Sequence, residues 1–236
     1  MKPIAIFRHA ASDGPGYLAT WLGRRALASQ LVALDEGARV PRDASRFAGL
    51  VFMGGPMSVN DPLPWVAPVL ALIRDAVAKD VPLLGHCLGG QLMSKAFGGT
   101  VGAAPVKEIG WAEVQVQDND VARAWFGDAA ALPAFHWHGE AFTIPPGATR
   151  VLSSACCENQ GFAIGRHLGL QCHIEMDEAL VERWCEEGAS EIAQAAGSPG
   201  VQSAEAIRRD LGARVARLHA AADRIYARWA KGLGRG

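Results

Sequence analysis

No two of the five cysteines (Cys87, Cys156, Cys157, Cys172 and Cys185) form a CxxC pair. That removes zinc ribbons and thioredoxin-like redox motifs. An odd count without a regular framework also argues against a disulfide scaffold and for free thiols in a reducing compartment. No uncharged apolar stretch reaches membrane-spanning length. The opening MKPIAIFRHA holds an apolar run too short for a signal-peptide core, and Arg8 and His9 break it. The expectation is a soluble, unexported, cytoplasmic protein with no membrane partner. An excess of either charge is missing too. A formal net charge of −1 over 236 residues leaves no electrostatic footprint for nucleic acid. Internal repeats and low-complexity tracts are absent.

What is there is an ordinary globular chain, long enough to bury a large core. Short apolar runs alternate with helical patterns. Ile4 to Phe7, Leu31 to Leu34, Leu50 to Met53 and Val81 to Leu84 read as buried strands. Tyr17 to Ser29, Val66 to Ala78 and Leu88 to Phe97 read as helices. Such alternation implies parallel pairing through right-handed crossovers, and uninterrupted apolar strands fit a sheet covered on both faces. The middle is β-rich: Trp111 to Gln117 alternates apolar and polar residues, and Thr149 to Ser153 and Phe162 to Cys172 are further strand candidates. Gly197 to Gly200 reads as a linker or turn. From there Ile207, Leu211, Val215, Leu218, Ala222 and Ile225 follow helical spacing. The expected fold is three-layer α/β with a mainly parallel central sheet and flanking helices. Residues 1–190 form the main domain, and 191–236 a helical extension packed on it.

One segment carries chemistry. A buried strand runs into Gly85-His86-Cys87-Leu88-Gly89, and a helix starts at once. This is the cysteine form of the G-x-S-x-G nucleophile elbow. Glycines on both sides let the chain turn sharply and lift the thiol to the carboxyl edge of the sheet, where open α/β folds place ligands. The positive end of the helix dipole then lies at the sulfur.

Gly85-His-Cys-Leu-Gly-Gly-Gln91 resembles the G-x-C-x-G-x-Q motif of the class I, triad-type glutamine amidotransferases. Gly54-Gly-Pro-Met-Ser58 resembles their G-G-P-x-S loop. Gln171-Cys-His-Ile-Glu175 resembles their Q-x-H-P-E motif, and His138-Gly139 their H-G turn. The four occur in the family's order over the first three-quarters of the chain, with stand-alone relatives of the GMP synthase glutaminase domain nearest. The resemblance implies a flavodoxin-like fold and a glutaminase. Cys87 would attack the side-chain carbonyl of glutamine, and His173 would carry the proton. Glu175, two residues on along an extended segment, faces the same side and would orient the imidazole. The resemblance also implies an oxyanion hole from the N–H groups of Gly55 and Leu88, with substrate contacts from Gln91, Gly54, Pro56, His138 and Gly139. Ile174 replaces the family's proline. This chemistry requires neither metal nor organic cofactor.

The chain contains no GxxxxGK(S/T) loop and no SGGxDS-like stretch for activating an acceptor. The implied partner is therefore a separate synthetase, to which this chain delivers ammonia as a gated subunit. Otherwise the chain is free-standing, and a γ-glutamyl amide or peptide hydrolase would use the same three residues. Other motifs compete. Gly14-Pro-Gly16-Tyr-Leu-Ala19 followed by Asp35 matches a dinucleotide fingerprint, but its first glycine falls well after the strand. Arg8-His9 hints at a histidine phosphatase, yet Ala10 stands where that motif needs glycine; a strand-end histidine pointing into the cleft is the simpler reading. His136-Trp-His138 with Glu140 lacks a third metal ligand at convincing spacing and reads as a polar loop beside the pocket.

Overall fold

A computed structural model describes residues 2–234. The apolar runs become strands β1 (Ile4–Arg8), β2 (Ser29–Ala33), β3 (Gly49–Phe52) and β4 (Leu83–His86). Each is followed by a chain reversal over one face of the sheet. Helices α1 (Gly16–Arg24), α2 (Val66–Ala78) and α3 (Leu88–Ala96) supply the first crossovers. The middle forms β5 (Val101–Val116), α4 (Asp120–Phe126), β6 (Ala131–Phe142), β7 (Thr149–Ser153), β8 (Gly161–Ile164) and β9 (His167–Leu170). Then come α5 (Glu178–Glu187), α6 (Ala189–Ala195), the short β10 (Gly200–Val201), α7 (Ala204–Arg208) and α8 (Leu211–Ala230). No helix among the described residues is long and apolar enough to cross a membrane.

The strands join in one sheet of order β10-β5-β7-β8-β9-β4-β3-β1-β2, with β6 paired to β5. From β2 to β9 all neighbours are parallel. Beyond β9 the pairs are antiparallel, except the small β10–β5 contact. The sheet is thus mixed, its parallel half built by the crossover helices and its antiparallel half by hairpins, which need no helix. Apolar residues of α1, α4, α5 and α8 share a core on one face. Those of α2 and α3 fill the other.

Several boundaries differ from expectation for local reasons. The first helix stops at Arg24 rather than Ser29, because Ala26 takes a positive φ of 52° and turns the chain into β2. The run Phe162 to Cys172 is a hairpin, not one strand; Gly165, at φ 53°, makes its turn. Ile207 belongs to α7, and Asp210 (φ 55°) separates it from α8. His136-Trp-His138 lies within β6, not in a loop.

Helix α3 is buried along nearly its whole length. A side chain at Gly89 would overlap the Phe52 carbonyl of β3, and one at Gly90 the Leu170 carbonyl of β9. The helix therefore lies directly on the sheet backbone. Gly89→Ala should cost about 3 kcal/mol or more, because backbone cannot yield as a side chain can. Gly23→Ala, in α1 with open space around it, should instead stabilise by about 0.5–1 kcal/mol. Chemical denaturation of both variants checks this contrast. Equal effects would refute the close approach.

Candidate functional site

Strands β1, β3, β4 and β9 end on the same edge of the sheet. Cys87 follows β4 with φ 50° and ψ −108°, a conformation rare for a residue with a side chain. Its N–H donates to the Leu170 carbonyl at the end of β9 (2.9 Å). Gly85 is confined by the next turn, since a Cβ there would lie 2.6 Å from the backbone of Gly89 and Gly90. This is the sharp strand-to-helix turn that the glycine pattern implies.

The chain leaving β9 carries His173 and Glu175 past the sulfur. His173 is fixed by two backbone bonds with Phe135 of β6 (2.8 and 3.1 Å). Its Nδ1 lies 2.6 Å from Glu175 Oε1. The Trp184 ring from α5 stands edge-on to the imidazole at 4.9 Å. Burial opposes a charged imidazole, but neighbouring Glu175 and Cys87 outweigh it, holding His173 well above the ordinary histidine value. Burial likewise opposes the Glu175 carboxylate. The His86 and His173 rings prevail and hold it at about 2. Among the described residues His173 Nε2 has no hydrogen-bond partner.

Ile174 gives the departure from proline a consequence. Its N–H donates to Glu175 Oε2 at 2.9 Å, a bond that proline cannot make. His86, fully buried, stands 3.7 Å from the same oxygen.

The expected oxyanion and substrate residues fall around the sulfur. Gly55, Pro56, Gln91, His138 and Gly139 line a cavity of ≈ 550 Å³ together with Cys87 and His173. Gly54 packs against His173 and Cys87: a Cβ on it would lie 3.0 Å from the His173 ring and 3.8 Å from Cys87 Cβ. Leu88 opens α3, so its N–H is one of the unpaired donors of the helix start. Gln91 is buried, its amide nitrogen 3.3 Å from both the Glu140 carbonyl and Gln171 Oε1.

Sequence reasoning passed over several neighbours. Gln171, inside a recognised motif, donates to Cys87 Sγ at 3.6 Å. The Trp137 carbonyl lies 3.9 Å from the same sulfur. Asp13, Glu140, Glu187 and Glu191 also line the cavity, with Lys107 paired to Glu191. Of these four carboxylates only Glu140 stands in a local pattern, beside His136-Trp-His138.

Competing motifs find ordinary employment. Gly16, at φ 44°, packs on the Glu175 backbone, and the Tyr17 N–H donates to the Glu175 carbonyl (2.8 Å). The start of α1 thus braces the site and cradles no phosphate. Asp35 pairs with Arg8 (2.9 Å). His9 does not enter the cleft. It is buried beneath the glycine loop, donates from Nδ1 to the Gly54 carbonyl (3.2 Å) and packs on Trp65. Glu140 accepts from Ser58 (3.1 Å) and stands outside the His136–His138 group, whose third member is Glu108 of β5.

Residues 17–180 match the family model described as glutamine amidotransferase class-I. The chain belongs to the class I glutamine amidotransferase family. A glutamine amidotransferase from Methylobacillus flagellatus superposes with a TM-score of 0.97 at 45% identity, over 100% of this chain and 97% of that one. A glutamine amidotransferase-like protein of Salmonella typhimurium is 28% identical over 85% of this chain and 87% of its own. Gamma-glutamyl peptidase 3 of Arabidopsis thaliana is 27% identical over 59% of each.

Ile174→Pro should remove one bond to a buried carboxylate and cost roughly 1.5–3 kcal/mol near neutral pH. Glu175 is held below its ordinary value of 4.5, at about 2. The stability it contributes is present above pH about 4.5 and is lost as pH falls towards about 2. The gap between variant and wild type, measured by urea denaturation, should therefore narrow below pH about 4.5. A gap independent of pH would show that the ring's shape, not the lost N–H, is responsible.

Proposed function

We propose that this chain hydrolyses the side-chain amide of glutamine through a thioester on Cys87. The juxtaposition of a strained cysteine with a buried His173–Glu175 pair, at the mouth of a cavity, carries this reading. A primary amide is a weak electrophile and needs both an activated nucleophile and charge stabilisation. Cys87 Sγ attacks the amide carbon, and its proton passes to His173 Nε2. The oxyanion is met by the N–H groups of Gly55 and Leu88. His173 then protonates the departing nitrogen, and ammonia leaves. Water attacks the thioester and gives up a proton through His173, which returns it to the sulfur as glutamate is released. Glu175 stabilises the charged imidazole throughout. Gln91, Gly54, Pro56, His138 and Gly139 shape the substrate pocket. The five free cysteines fit a reducing, cytoplasmic setting.

A second reading has its own observation. The cavity of ≈ 550 Å³ extends beyond the sulfur to Trp137, Trp184 and Glu187, leaving room for a leaving group larger than ammonia. A γ-glutamyl amide or peptide would fill it, and the relation to a γ-glutamyl peptidase supports that substrate class. In a third reading a separate synthetase docks, receives the ammonia and gates the reaction.

The test is glutamate release from glutamine by the purified chain, with γ-glutamyl dipeptides offered in competition. Cys87→Ala should abolish turnover while leaving the fold intact. His173→Ala should lower it by about 10³-fold or more. Residual turnover near the wild-type rate in either variant would remove the corresponding residue from its role. Preference for the dipeptides would select the second reading.

A further inference from the structure

Beside this site, β5 and β6 bring together Glu108, His136 and His138, of which only His138 also borders the proposed substrate pocket. Glu108 stands opposite His138, and His136 faces the next position but one on β5, Gly110. His136 and His138, two apart on a strand, share one face. All three side chains are buried. One ligating atom from each lies within 4.8 Å of the others.

Their protonation is constrained by what surrounds them. His138 Nδ1 lies 3.2 Å from the Glu140 carbonyl, which can only accept, so that nitrogen carries a proton. Its Nε2 lies 3.1 Å from Glu108 Oε2 and is buried without a hydrogen-bond partner among the described residues. His136 Nδ1 lies 3.9 Å from Glu108 Oε1 and 3.4 Å from the amide nitrogen of Gln160. Two imidazole nitrogens and a carboxylate converge in a buried space. A carboxylate buried there is costly unless a positive charge sits beside it.

Outer contacts match this need. Gln160 Nε2 donates to Glu108 Oε2 (2.7 Å) and Ser154 Oγ to Oε1 (3.0 Å). A carbonyl accepts the distal N–H of His138. Metal-bound imidazoles and carboxylates are oriented by contacts of these kinds.

We propose that Glu108, His136 and His138 bind a divalent transition-metal ion of the zinc type, through two imidazole nitrogens and one carboxylate oxygen. Two nitrogens favour zinc or cobalt(II) over magnesium and calcium, which prefer oxygen alone. Tetrahedral zinc with bonds of about 2 Å sets its ligands about 3.3 Å apart, so shifts of about 1 Å close the group around the ion. The ion locks β5 to β6 behind the cavity wall that His138 shares. It takes no part in the thiol chemistry.

The experiment strips the full chain with a chelator, then titrates it with cobalt(II) under reducing conditions and with zinc by calorimetry. One cobalt ion per chain is expected, with the ligand-field absorption of a tetrahedral site, displacement by zinc and a raised melting temperature. His136→Asn should abolish binding. Gln160→Met, which keeps every ligand, should weaken it about 10-fold or more. A Cys156→Ser, Cys157→Ser double variant should bind as wild type does. Circular dichroism establishes that each variant is folded; should His136→Asn not fold, the Gln160 variant decides. Failure of the wild-type chain to bind either ion would overturn the proposal. Undiminished binding by folded His136→Asn, or by Gln160→Met, would overturn it equally. So would a sulfur-to-cobalt absorption band lost in the cysteine variant.

Discussion

The site depends on how closely α3 approaches the sheet. A helix normally keeps a layer of side chains between itself and a strand. Here Gly89 and Gly90 remove that layer, and α3 begins within a residue of where β4 ends. The chain can make that turn only by forcing Cys87 into a positive-φ conformation. The strain is held by the surrounding contacts: the Cys87 N–H is tied to β9, and Gly85 is pressed against the next turn. One packing constraint thereby fixes the sulfur, presents the first N–H groups of α3 beside it and sets the distance to the segment leaving β9.

Against that rigid edge the electrostatics are a matter of pairing. Glu175 and His173 are both buried, and either charge alone would be costly. Together they share a short bond, and the second carboxylate oxygen takes the Ile174 N–H. The surrounding packing belongs largely to the far end of the chain. His219 of α8 stacks on Tyr17 and donates to the Met176 carbonyl, while Tyr17 gives its hydroxyl to Asp223. Helix α8 thus braces both α1 and the turn that follows Glu175.

The parts of the site legible in the sequence are those whose geometry is local. A glycine-flanked cysteine between strand and helix, and a histidine two residues from a glutamate, carry their spatial relation in their spacing. Strands β1, β3 and β4 were legible for the same reason, as apolar runs buried on both faces, whereas β2, also expected to be buried, is an edge strand whose Leu31 is exposed. Glu108, Gln171 as a contact of the sulfur, and the acidic lining of the cavity were not. Glu108 meets His138 because β5 and β6 pair in one register across a bulge, and no local pattern announces a register. The hairpin of β8 and β9 was missed because Gly165, one of two glycines in the run, fits a bulged strand as well as a turn.

Strand β6 draws these features together. Phe135 holds His173 by two backbone bonds, and Trp137 lays its carbonyl beside Cys87 while its ring lines the cavity. Alternate residues point to opposite faces of a strand, so His136 and His138 face Glu108 on the other side. One strand therefore positions the imidazole, touches the sulfur and closes the buried polar group. A side-chain shift would remain local, but sliding β6 by one residue would exchange its two faces and break all three relations at once. The long antiparallel ladder with β5 opposes such a slip. It secures the candidate site from the side of the sheet where no crossover helix does so.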